Sequence, residues 1–250
     1  MNTQLARHFA KIGARVKVHG PRRWQRETYE IDVRSDKQGE YFDLSLLRAT
    51  NFQLLQARED QKHLLILGED GKRFLCGHDE RHWFVAGIKD RVSTVMAAKA
   101  SLMPESVRQM VGNLPPSEVD NRNNRVFKRQ GEWFFVPVIK NINPDFILRN
   151  EPMRKTSRNK PHWASELYRD GGETVYVSRS ETLSEAEYVS RVNSDPEKMK
   201  RTAWRVMTQN ANVYVRGTVR HADHSTVTLD GWHRVFMNAE FTTAAVAFLD

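Results

Sequence analysis

Cysteine is nearly absent: Cys76 is the only one in 250 residues. No intrachain disulfide can form, and a zinc site built from several thiolates is excluded. Long apolar runs are missing too. Nothing approaches the ~20 residues that span a bilayer, and the closing "TTAAVAFL" is far shorter. The opening "MNTQLARHFAKIGARVKVHG" lacks a continuous apolar segment of the secretory type. These absences point to a cytoplasmic or other reducing intracellular compartment and to no integral membrane association. No G-x-x-x-x-G-K-[ST], G-x-G-x-x-G or G-x-S-x-G occurs. Phosphate-loop, dinucleotide-fold and α/β-hydrolase readings are therefore without support.

Acid is scarce in two places only. Residues 1–26 hold Arg7, Lys11, Arg15, Lys17, Arg22, Arg23 and Arg26 with no carboxylate, a charge of +7. Residues 149–160 hold Arg149, Arg154, Lys155, Arg158 and Lys160 against Glu151, a charge of +4. With a net charge of +8, the remainder sums to −3. Concentrated basic segments on a near-neutral body are the electrostatic footprint of a polyanion binder. The expected nucleic-acid contacts are Arg7, Lys11, Arg15, Lys17, Arg22, Arg23, Arg154, Lys155, Arg158 and Lys160. The plainer alternative is a solvated basic surface.

Periodicity makes residues 1–20 a basic amphipathic helix. Leu5, Phe9, Ile12 and Val16 fall on one side and Arg7, Lys11 and Arg15 on the other, with Gly20-Pro21 as the stop. Residues 21–112 read as β-rich with one C-terminal helix, "STVMAAKASLM". Their strands are "TYEIDVR", "EYFDLSLL", "KHLLIL", "RFLCG" and "HWFVAGI". Residues 113–124, "NLPPSEVDNRNN", read as a linker. Residues 125–250 read as a second α+β subdomain. In it "RVFK" pairs with "WFFVPVI", 149–160 forms a basic loop, and "HWASELYR" is a short helix. "LSEAEYVSRV" and "PEKMKRTAWRVMTQ" are further helices, and a three-stranded meander closes the chain. The expected class is α+β, with antiparallel hairpins and segregated helices. Trp133, Phe134, Phe135 and Cys76 are expected in the core.

Chemistry rests on histidine. "RHADHSTVTLDGWHR" places His221, Asp223 and His224 in one strand connection, while Asp230-Gly231 reads as a tight turn. Residues 225–229, taken as a strand, would separate His233 from the other two by ~17 Å. An ion that binds imidazole at ~2.0–2.1 Å cannot bridge that gap. "GHDERHW" offers a second loop with His78, Asp79 and His82, and "KPHWASEL" adds His162. If these loops converge, they supply ligands for zinc or manganese, or a metal-free imidazole acid–base pair for phosphodiester cleavage. The expected catalytic residues are His78, His82, His221 and His224. Turn chemistry is the competing explanation, because Asp, Gly and His all suit hairpin tips.

Three functional classes follow. The first is an intracellular nucleic-acid-associated protein that contacts phosphates through 1–26 and 149–160. The second is a subunit of a larger complex that docks on a partner protein through its N-terminal helix. The third is a histidine- or metal-dependent phosphodiester hydrolase with a divalent ion as its possible cofactor.

Overall fold

The structure is a computed structural model that describes residues 3–23, 25–154 and 160–240. It is α+β, with mainly antiparallel sheets and helices kept apart from them. The chain forms two compact units, one of residues up to 124 together with 237–240, the other of residues 125–236.

In the first unit, α1 (Thr3–Ala10) buries Leu5 and Phe9, four residues apart and so on one face. The expected helix over 1–20 stops early. Gly13 adopts φ +73, the left-handed conformation that glycine takes without steric cost, and the Ala14 N–H closes back onto the Phe9 carbonyl. The alternating "VKVH" then forms β1 (Val16–His19), parallel to β3. The hairpin of β2 (Tyr29–Asp36) and β3 (Gly39–Leu46) turns at "SDKQGE", as its pattern implies.

A four-stranded meander follows: β4 (Phe52–Arg58), β5 (His63–Gly68), β6 (Arg73–Asp79) and β7 (His82–Ile88). Alternation sends its side chains to two cores. Leu64, Ile66 and Cys76 join Leu5, Phe9, Ile12, Phe42 and Leu44, whereas Leu65, Leu75 and Ala86 pack with Val95, Ala98 and Leu102. Cys76 is fully buried, as expected, and burial pushes its thiol pKa up. The last three residues of that second core lie on α2 (Val95–Leu102), which Thr94 caps by accepting from the Ala97 N–H. Pro104 separates α2 from α3 (Glu105–Val111), so two helices stand where one is expected. The expected linker holds the single turn α4 (Pro116–Val119).

The second unit is built on a six-stranded sheet ordered β10-β11-β15-β16-β9-β8. Its members are β8 (Lys128–Gln130), β9 (Trp133–Pro137), β10 (Leu148–Met153), β11 (His162–Asp170), β15 (Asn212–Arg220) and β16 (Val227–Met237). A smaller sheet holds β12 (Glu173–Val177), β13 (Thr182–Ser184) and β14 (Arg205–Gln209), with α5 (Glu185–Ser194) and α6 (Pro196–Arg201) connecting β13 to β14. Trp133, Phe134 and Phe135 are completely buried, as core residues should be.

Four expectations fail in this unit, all because strand pairing outweighs local preference. "HWASELYR" is not a helix. It is β11, hydrogen-bonded on one side to β10 and on the other to β15. Residues 148–153, which include the first part of the expected basic loop, form an edge strand, and 155–159 lie outside the described residues. Asp230-Gly231 makes no turn. It is extra chain in the continuous β16, where the register against β15 shifts between Val215 and Gly217. "PEKMKRTAWRVMTQ" likewise divides into α6 and β14.

Candidate metal centre

Pairing fixes where the histidines meet. Trp163 on β11 stands opposite Arg220 on β15, so His162 and His221 lie one residue further along at the same end of the sheet. The 221–226 connection then returns to β16 and brings back His224. The rings gather closely. His162 stacks on His221 with centroids 4.1 Å apart, His221 on His224 at 4.7 Å, and His162 on His224 at 5.7 Å. One ligand nitrogen from each lies within 4.8 Å of the other two. Among the described residues this is the one cluster of three or more metal-ligating side chains.

His162 is the unusual member. It is 1% exposed, and neither ring nitrogen has a hydrogen-bond partner. Leaving a buried polar atom unpaired costs about 1–3 kcal/mol, and native structures do so rarely. Burial, followed by the nearby His221 and His224, pushes its pKa down to about 3, so the ring is neutral at ordinary pH. Neutral imidazole with an available lone pair is the form that binds metal.

The surroundings hold the trio in place. The buried Trp133 packs edge-on against His162, with centroids 6.0 Å apart. The β8–β9 turn presses on His224: a Cβ on Gly131, whose φ is +57, would sit 2.7 Å from His224 Nε2. A glycine is therefore needed there for closeness as well as conformation. His221 Nδ1 accepts a long hydrogen bond, 3.2 Å, from the Asp223 N–H. The Asp223 carboxylate accepts from Lys160 Nζ at 2.7 and 2.9 Å, which turns it to the ammonium and leaves a ligand set of three nitrogens. Nitrogens around a tetrahedral zinc are ~3.3 Å apart, so closing on an ion requires side-chain movements of roughly an ångström. Three protein ligands with a position left over is the arrangement of catalytic rather than structural zinc. No family model, no curated protein and no solved structure matches the chain.

The expected catalytic residues divide between the units. His221 and His224 are in the trio. His78 and His82 belong to the other unit, at the β6–β7 hairpin, and each is engaged locally. The His78 ring stands edge-on to Trp83 at 4.9 Å, and burial lowers its pKa. His82 Nδ1 meets Glu40 Oε1 at 2.6 Å. Within the second unit, the third member of the trio is His162. His233 pairs locally, its Nδ1 donating to the Gly231 carbonyl at 2.8 Å, and β16 carries it away from the 221–226 connection.

Several expected phosphate contacts serve the protein's own carboxylates. Arg15 and Lys17 share Asp36, each at 2.7 Å, and Arg22 reaches the buried Asp43 at 2.7 Å. Lys160 holds Asp223. Arg7, Lys11, Arg23 and Arg154 are exposed or half-exposed. Lys155 and Arg158 lie outside the described residues.

Proposed function

We propose that the second unit is a metal-dependent hydrolase centre of the zinc class, with His162, His221 and His224 as ligands and a phosphodiester as substrate. One observation carries this reading: His162 is buried with both ring nitrogens unpaired, within ligand distance of two further imidazoles. A divalent ion held there supplies a Lewis acid with one position open to water or substrate. The chain does the rest. His162 fixes the depth of the site, Gly131 and Trp133 confine the rings, and Lys160 holds Asp223 aside. Arg220, whose guanidinium donates to the neutral Asn150 amide, puts positive charge at the same end of the sheet, which suits an anionic ester.

The other two readings have weaker support. Phosphate binding through the basic segments must rely on Arg7, Lys11 and Arg154 more than on the cations paired above. Docking through the N-terminal helix lacks its apolar face, since Leu5, Phe9 and Ile12 are buried in their own unit.

The test is hydrolysis of bis(p-nitrophenyl) phosphate by protein as purified, after chelation, and after zinc or manganese is restored. Chelation should abolish activity and the metal recover it, with His162→Ala reducing it more than ~100-fold. Activity that survives chelation with a bell-shaped pH profile would overturn the metal reading in favour of a metal-free imidazole pair.

A further inference from the structure

The end of the sheet has two faces. His162 and His221 gather on one. Trp163 and Arg220, directly opposed on β11 and β15, stand on the other. There an open depression of about 380 Å³ is walled by Trp163, Pro161, Ala222, Asn150, Arg220 and Lys160, and His221 completes it. The metal trio and the depression therefore share a residue and the loop that begins with it.

The lining has a distinct chemistry. Trp163 is half-buried and, with Pro161 and Ala222, provides an apolar floor. Arg220 Nη2 donates to the neutral Asn150 Oδ1 at 2.8 Å, and no carboxylate pairs with this guanidinium among the described residues. Asn150 adopts φ +53, a left-handed conformation that asparagine tolerates better than most residues, to present its amide there. An aromatic surface beside an uncompensated guanidinium fits a flat ring that carries a phosphate.

We infer that this depression is a subsite for one unpaired nucleotide, with its base on Trp163 and its phosphate at Arg220, next to the metal centre. The inference rests on the hydrolase reading, and it makes the substrate a single-stranded nucleic acid or a nucleotide ester. A paired base cannot lie on Trp163 without leaving its stack, so duplexes should be poor ligands.

The experiment uses full-length, metal-loaded protein, with metal content measured in every sample. Thymidine 5′-monophosphate and a short oligothymidylate are titrated by tryptophan fluorescence and calorimetry, against the same oligothymidylate annealed to its complement. Both single-stranded probes should bind and the duplex bind more weakly. Trp163→Ala should weaken binding ~5- to 100-fold, and Arg220→Gln about tenfold, with metal content unchanged. Trp163→Phe, which keeps a stacking ring, should retain most of the affinity and checks that losses do not arise from misfolding. Equal affinity in Trp163→Ala, Arg220→Gln and the parent protein overturns the subsite, as does preference for duplex. If inorganic phosphate competes as well as the nucleotide, base recognition is overturned. If the protein takes up no metal, the centre fails; if it takes up metal but neither probe binds, the subsite alone fails.

Discussion

The imidazole of His162 is buried with neither ring nitrogen hydrogen-bonded. Its neutral state in the fold, with a pKa near 3 against ~6.5 in an unfolded chain, has a definite sign. The unfolded chain takes up a proton as pH falls below about 6.5, and the folded ring resists doing so. Stability contributed in this way is present above pH ~6.5 and is lost progressively down to about 3, at up to about 1.4 kcal/mol per pH unit. In metal-free protein, the urea midpoint should therefore fall between pH 7 and pH 5 more steeply for the parent than for His162→Gln. Parallel slopes would contradict the assignment. Sequence alone marks His162 as one of several histidines in the converging-loop expectation. What it lacks is the partner strand: burial of this ring comes from β10 and β15 on either side of β11, which are distant in the chain. His78 and His82 illustrate the converse. Their spacing resembles that of His221 and His224, yet Trp83 and Glu40 engage them locally.

Among the elements, those with clean alternation and a local turn are legible. The β2–β3 and β5–β6 hairpins and β7 follow from their sequences, as does the buried "WFF" run. Elements are obscured where a bulge breaks the alternation. β4 carries a register shift between Leu54 and Gln56, so apolar residues become adjacent and the strand signal fades. β16 conceals extra chain at Asp230-Gly231 that reads as a turn. β15 carries an extra residue opposite the Ala164–Glu166 stretch of β11, and the buried His162, Ala164 and Leu167 of β11 do not alternate cleanly. The N-terminal helix was legible as amphipathic, but not the destination of its apolar face. Since Phe9 is fully buried and its ring lies 4.6 Å from Phe42, Phe9→Ala should destabilise the protein by about 3–5 kcal/mol. The exposed Arg7→Ala should change stability by less than about 0.5 kcal/mol. Equal urea midpoints for the two variants would show that the helix packs elsewhere.

On the scale of the whole molecule, net charge proves a poorer guide than pairing. The acid-free first 26 residues are basic in the sequence. In the fold, Arg15, Lys17 and Arg22 meet Asp36 and Asp43, carboxylates that β2 and β3 bring to them. No helix among the described residues is long and apolar enough to cross a membrane. The functional claim centres on the second unit, and metal binding tests it directly. Calorimetric titration of chelator-treated protein with zinc should show one ion per chain. His162→Ala and His224→Ala should each lose that binding, while His233→Ala and His82→Ala retain it. Zinc should also raise the melting temperature of the parent as its concentration exceeds the dissociation constant. No saturable zinc uptake, or uptake unchanged in His162→Ala, would contradict the account.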